Sequence, residues 1–438
     1  MQRASIVISS ACSALSASLR NPVPATCVDA GDGTRRAASC RMSISRLVVV
    51  LLAVSWPLAD SLAQAPLPRF DRVLLLETTS ETSANASIGD VNGDGKPDIL
   101  LAKGRHWPLI DRVLLGDGKG GFAPATDLGT ASDRSYAARL VDLDRDGDLD
   151  VVLSNDRPDP SLVYFNDGKG HFTVGSTFGK AEWPTRNASV ADVNGDGLPD
   201  IIVANRYGKN PGGNYLCLNR GAGRFDDQCQ RFSQESATTI TPADVNRDGL
   251  MDLIVPHRDG GQSMVYLQQA RTGAEPMFTG VPFGPVDAAI RASESGDFNG
   301  DGLVDLVAID EANGLSLYAG TREGGFAAGV SLGRAKTAPY ALAVGDLNAD
   351  GLTDVVVGYV QALSVAYIRT GATFTPVSFG DGRGTVYGFA IGDVDMDGQM
   401  DIAAGRSEAP NVLYFGKTSA VTSPREAAPR GAAPQRKE

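Results

Sequence analysis

A nine-residue pattern rich in aspartate recurs seven times along the 438 residues of this chain, and no other feature limits its folding as strongly. Aligned on the first Asp, the copies are DVNGDGKPD from Asp90, DLDRDGDLD from Asp142, DVNGDGLPD from Asp192, DVNRDGLMD from Asp244, DFNGDGLVD from Asp297, DLNADGLTD from Asp346 and DVDMDGQMD from Asp393. The intervals are 52, 50, 52, 53, 49 and 47 residues. A fixed period of this size means one supersecondary unit packed against copies of itself.

Each unit reads as four short strands. A small-residue apolar run enters the Asp loop (ASVADVNGDG), a second leaves it (DIIVAN), a third follows a polar loop (LVYFN), and a Gly-rich turn leads into a fourth that begins with Phe (HFTVGSTFG). No segment keeps a helical period. Units of four antiparallel strands, repeated seven times, predict an all-β, seven-bladed propeller. The seventh unit stops after its third strand at 411–416, and RFDRVLLLE at 69–77 has the look of the missing fourth. The expected ring is therefore closed by an N-terminal strand that completes the last blade, forming one domain over 66–416.

Positions 1, 3, 5 and 9 of the loops hold 23 Asp and 5 Asn, and position 6 is always Gly. The candidate metal ligands are Asp90, Asn92, Asp94 and Asp98; Asp142, Asp144, Asp146 and Asp150; Asp192, Asn194, Asp196 and Asp200; Asp244, Asn246, Asp248 and Asp252; Asp297, Asn299, Asp301 and Asp305; Asp346, Asn348, Asp350 and Asp354; Asp393, Asp395, Asp397 and Asp401. Hard oxygen donors on alternate residues of a tight loop select calcium, and the position-7 carbonyl can join them; magnesium wants a smaller site that keeps its waters. Zinc would want His or Cys. An EF-hand closes with Glu at position 12, whereas position 12 here is Leu101, Leu153, Val203, Val255, Ala308, Val357 or Ala404.

These units resemble the FG-GAP/VCBS repeats of integrin alpha-subunit propellers and of secreted bacterial proteins. The resemblance rests on the D-x-[DN]-x-D-G-x-x-D loop and on Phe-Gly at the ends of fourth strands, Phe178-Gly179, Phe283-Gly284 and Phe379-Gly380. It covers roughly 69–416 and implies a calcium loop in every blade, up to seven ions. It does not fix a function, because the family includes adhesion proteins, lectins and carbohydrate-active enzymes.

Charge agrees with cation binding. The chain carries 52 Asp+Glu against 40 Lys+Arg, a net −12, which gives no general reason to bind nucleic acid. Residues 42–65, MSISRLVVVLLAVSWPLADSLAQA, read as a secretory signal with a basic start, an apolar stretch and an A-x-A end, so 1–41 is expected to be an over-called start. The apolar run is too short to anchor in a bilayer. The protein is then expected outside the cytoplasm, secreted, periplasmic or at the cell surface, and monomeric. Without residues 1–65 it holds 34 Lys+Arg against 49 Asp+Glu, a balance that seven divalent cations would nearly neutralise. Cys217 and Cys229 remain, and a disulfide is the default in an oxidising compartment. Symmetric pairing about the RGAG turn would leave them out of register, so a bulge or two separate thiols stays open. The Ala/Pro/Arg-rich tail from Lys417 is expected to be disordered.

The loops on the far face from the Asp turns are free to vary and are the natural place for binding. Six residues before each first Asp stand Ala84, Tyr136, Arg186, Thr238, Arg291, Tyr340 and Tyr387, and past the second strands stand Arg105, Arg157, Arg206, Arg258 and Arg406. His106, Trp107, Trp183, Tyr207 and His257 lie in the same loops. Arginine forks suit carboxylate or sulfate, and aromatic rings stack on sugars. These arginines could equally be solvated or pair with acids across blades. The expected function is a binding or adhesion module for a glycan or an extracellular protein. The alternatives are a lyase or hydrolase on acidic glycans, with Tyr136 or His106 moving a proton, and a purely structural secreted protein. No G-x-S-x-G, HExxH or nucleotide loop is present, and no residue is assigned as catalytic.

Overall fold

A computed structural model describes residues 67–225, 228–270 and 275–418. The expected start (1–41) and leader (42–65) lie outside the described residues, as does the tail beyond 418; the last strand runs through Lys417 to Thr418. The described elements are all β-strands, and among the described residues no helix is long and apolar enough to cross a membrane.

Twenty-eight strands form seven antiparallel four-stranded sheets. The first is Ser83–Gly89, Asp98–Lys103, Arg112–Leu114 and Thr126–Asp127 in spatial order. The innermost strands of the others are Ser135–Val141, Thr185–Ala191, Thr241–Ala243, Ile290–Gly296, Pro339–Gly345 and Thr385–Gly392. Each touches the next in chain order, and the seventh touches the first. That cyclic neighbourhood makes the molecule a seven-bladed propeller. In the last blade the fourth strand is Pro68–Leu75, antiparallel to Val412–Thr418 with Val73 opposite Tyr414.

Burial follows from this stacking. The second strands Asp98–Lys103, Asp150–Asn155, Asp200–Asn205, Asp305–Asp310, Asp354–Tyr359 and Asp401–Ser407 are buried at every residue, because each is covered by a blade on both faces. A strand buried on both faces reads as a continuous apolar run without alternation. The core is accordingly divided into seven apolar clusters, each between two adjacent blades, with the cluster of Ile99, Leu101, Ala403 and Leu413 joining the seventh blade to the first. Position 2 of every Asp loop (Val91, Leu143, Val193, Val245, Phe298, Leu347, Val394) is buried in one of them, so each loop is pinned to the core by its second residue.

Cys217 and Cys229 are joined by a disulfide. Leu216 pairs with Gln230 and Asn219 bridges Phe225, so the register moves by two residues along the hairpin and brings the two cysteines opposite each other. The pairing of Leu216 with Gln230 removes the mismatch that symmetric pairing about the turn would leave.

Candidate functional site

The seven Asp loops share one hydrogen-bond plan. The position-1 carboxylate accepts from the amide of the position-6 Gly, from Asp90 to Gly95 at 2.7 Å through Asp393 to Gly398 at 2.9 Å. That Gly sits at positive φ in every loop, for example +79° at Gly95, a conformation closed to most other residues. The position-5 carboxylate accepts from the amide of position 7. The position-9 Asp is at most 1% exposed and spans two strands: in the third blade Asp200 accepts from Val193 at 3.0 Å and from Asn219 at 2.9 Å. The same pair of bonds recurs in the other six blades. Burial pushes these position-9 carboxyls up, Asp150, Asp200 and Asp401 to about 6 and Asp354 to about 7.

Position 9 thus has a structural task of its own, while positions 1, 3 and 5 keep acceptor capacity. Asp192 Oδ1, Asn348 Oδ1 and Asp395 Oδ1 are buried without any partner, the condition expected of oxygens shaped for a cation. In loops 3 to 6 the position-3 Asn donates to the position-5 Asp, for example Asn194 to Asp196 at 2.8 Å. Where position 3 is Asp the carboxylates crowd instead: Asp142, Asp144 and Asp146, and likewise Asp393, Asp395 and Asp401, bring oxygens within 4.8 Å of one another. This donor set fits a hard divalent cation such as calcium.

At the opposite end of the inner strands lies a cavity of about 260 Å³ in the channel mouth. All seven residues that stand six before a first Asp line it. The cause is local. In six of the seven blades the inner strand skips register at that residue, as between Ser135 and Ala137 or between Val386 and Gly388. The bulged residue has no cross-strand partner and turns its side chain into the channel. The blade without this irregularity supplies Thr238.

Arginines and tyrosines interleave there. The Arg105 guanidinium lies 3.5 Å from the Tyr387 ring centre and 5.5 Å from that of Tyr136; Arg186 lies 4.3 Å from Tyr136, and Arg291 3.9 Å from Tyr340. The rings of Tyr340 and Tyr387 are 5.4 Å apart. Arg186 pairs with Asp156 at 2.6 Å and Arg291 with Glu311 at 3.1 Å. On the rim, Tyr136 Oη lies 3.0 Å from His106 Nε2, and burial followed by the nearby Arg105 and Arg186 lowers the His106 pKa, favouring the neutral ring. Trp107 beside it is 68% exposed.

The second-strand arginines divide. Arg105 enters the cavity, but Arg157, Arg206, Arg258 and Arg406 do not line it. Arg206 reaches Asp259 of the next blade at 2.7 Å, and Arg258 pairs with Glu311 of its neighbour. Arg406 is 1% exposed and fully engaged by Asp381 at 2.7 Å and the Pro410 carbonyl, so it is a packing cation. Arg157 is exposed. Arg206, Arg258 and Arg406 thus take the pairing with acids that the sequence left open, and Arg157 does not.

Sequence reasoning missed Arg139 and Glu294, which line the same cavity from the second and fifth blades. Both stand three residues before a first Asp, where the other inner strands carry Ser87, Ser189, Thr241, Ala343 and Ala390; charge in a row of small residues was the available signal. Burial, relieved in part by Arg139, pushes the Glu294 carboxyl up to about 7.

The FG-GAP-like repeat model matches residues 90–153, 142–203, 192–255, 297–357 and 346–404, and these spans contain all seven Asp loops. The chain belongs to the FG-GAP-like repeat family. No curated protein matches it in sequence. Among solved structures, this FG-GAP-like chain is similar to an Agrocybe aegerita lectin that recognises non-reducing terminal N-acetylglucosamine, at 17% identity and TM-score 0.50 over 75% of this chain and 86% of the lectin. It is also similar to BBS1N in complex with ARL6DN, at 12% identity and TM-score 0.52 over 78% of this chain and 95% of that one. YCF48 bound to a D1 peptide matches at 12% identity and TM-score 0.51, over 81% and 97% respectively. At such identities the likeness concerns the fold alone.

Proposed function

We propose that this FG-GAP-like propeller is a secreted, calcium-stabilised binding module that holds a glycan or a protein partner at the channel mouth, opposite the Asp loops. The observation that carries this reading is the convergence of the bulged inner-strand residues on one cavity. A bulge costs a ladder hydrogen bond, and six independent blades spend it on aiming a side chain at the same space. Tyrosine faces beside guanidinium forks suit sugars and peptide side chains alike. The similar lectin and the two propellers with protein or peptide partners are in keeping with a binding role for the fold. Calcium supplies the positive charge that lets the loop carboxylates approach one another.

The test is a glycan array and a surface-partner capture with the calcium-loaded protein and with Tyr340→Ala/Tyr387→Ala. Binding that the double variant loses supports the reading. A partner retained in full by that variant places the function elsewhere on the molecule.

A second reading, eliminative cleavage of an acidic glycan, is favoured by the contact between Tyr136 Oη and His106 Nε2 close to Arg105. Release of an unsaturated, ultraviolet-absorbing uronate product would select it over simple binding.

A further inference from the structure

Three polar atoms in the channel-mouth cavity are buried and have no hydrogen-bond partner: Arg105 Nε, Thr238 Oγ1 and Thr239 Oγ1. Natural proteins rarely leave such atoms unmatched, because each costs the full desolvation of the group. The residues that carry them line the cavity from the first blade and the fourth.

Arg105 is the exception among the arginines around it. Arg186, Arg206, Arg258 and Arg291 each have a carboxylate at ion-pair distance, Arg258 and Arg291 sharing Glu311, and Arg139 donates to the Asn187 side chain at 3.3 Å. The Arg105 side chain makes no hydrogen bond or ion pair with any described residue; it lies on the Tyr387 face. Arg105 also sits at positive φ, +52°, a backbone conformation uncommon for a residue with a Cβ, which fixes its approach to the cavity.

We infer that the cavity binds a single acidic sugar residue, a uronate, with its carboxylate on Arg105, its hydroxyls on Thr238 and Thr239, and its ring against the Tyr340 and Tyr387 faces. This inference rests on the binding reading above and narrows its ligand. The Arg105 guanidinium has no polar partner of its own, and its planar fork matches a planar carboxylate bidentately. At about 260 Å³ the cavity falls just under the ~300–1,000 Å³ of pockets for drug-sized ligands, which suits one pyranose and not a chain threaded through. Exposed Trp107 on the rim offers an apolar face to the neighbouring sugar of a longer glycan.

The experiment is calorimetric titration of the calcium-loaded protein with matched methyl glycosides: glucuronide and galacturonide, their carboxyl methyl esters, the neutral glucoside and galactoside, and the 6-sulfates. The free uronates should bind at least about tenfold tighter than ester or neutral sugar, the scale of a charge-assisted hydrogen-bonded pair. Arg105→Met should remove that preference, and Arg105→Lys should restore part of it. Equal affinity for acid and ester, tighter binding of the sulfates, an unaltered Arg105→Met variant, or no binding of either uronate would each overturn the inference. The acid-to-ester comparison needs no variant and stands even if Arg105→Met fails to fold. A neutral glycan or a protein captured at the same cavity would sink this inference while leaving the binding reading intact.

Discussion

Arg72, on the strand that completes the seventh blade, donates to Asp395 of the seventh Asp loop at 2.6 Å, and its guanidinium lies 3.6 Å from the Phe415 ring centre. The two ends of the described chain are thereby joined through one metal-loop candidate. Two contributions compete in that closure, ion pairing by Arg72 and packing by Phe70, which is 6% exposed and 4.8 Å from the Phe379 ring. Packing should dominate. Arg72 is half exposed, and such pairs contribute about 0–1 kcal/mol, whereas truncating a buried Phe costs about 3–5 kcal/mol. Phe70→Ala should lower the urea midpoint clearly and Arg72→Ala barely. A larger loss from Arg72→Ala would mean that the ends are held by charge.

Calcium should contribute stability comparable to that of the whole fold. For sites with Kd ~0.1 mM at ~1 mM calcium, each adds about 1.4 kcal/mol, or about 10 kcal/mol over seven independent loops. Melting in calcium and again in excess EDTA should show a large, reversible fall in Tm on chelation. The loops with Asp at position 3 should depend on the ion most, since their carboxylates lack the Asn amide that eases the others. Asp144→Asn should therefore narrow the gap between the two melting curves, and Asn194→Asp should widen it by lowering calcium-free stability. An unchanged Tm on chelation would mean that the Asx-type bonds alone hold the turns.

The position-9 aspartates should behave differently from their loop neighbours. Asp200→Ala strips acceptors from the buried amides of Val193 and Asn219, and each orphaned group costs about 1–3 kcal/mol. The loss should appear with calcium present and with calcium removed alike. Asp196→Ala in the same loop should matter mainly when calcium is present. If both variants lose stability only in calcium, position 9 acts as a ligand and not as a brace between strands.

Much of this architecture was legible because a repeat states each structural demand seven times. The Asp-Gly loops, the buried second strands and the Pro68–Leu75 closure follow from periodicity and composition. The residues six before each first Asp could be singled out by alignment, but the bulge that aims them inward leaves no composition signal. The second-strand arginines were ambiguous for a physical reason. The same stretch, five to seven residues past the last Asp, holds a cation paired across blades (Arg206), one buried for packing (Arg406) and one without an ion pair (Arg105), and the position of the facing carboxylate separates them. Arg139 and Glu294 escaped notice because each occurs in one blade, where a periodic argument has nothing to compare.

Asp111 gives the fold a pH dependence whose sign can be worked out. Burial pushes its carboxyl up to about 7, with nearby Asp133 adding to the rise, while hydrogen bonds from the Lys103 amide and the Ser135 hydroxyl and the Lys103 charge pull the other way. Tyr164 packs nearby and is itself pushed up to about 12. A carboxyl raised in the folded state holds a proton that the unfolded chain releases, so folding binds protons between the ordinary Asp value and about 7. Stability from this group is therefore greatest below about pH 4 and declines as pH rises to about 7, by a few kcal/mol at most. Asp111→Asn keeps an oxygen for the Lys103 amide and an amide for the Ser135 oxygen but cannot ionise. Its stability relative to the parent should grow from pH 4.5 to about 7.5 in denaturant titrations at fixed calcium. A difference that stays flat across that range would show that Asp111 is ionised in the folded protein at all these pH values, with Lys103 as its effective counter-charge.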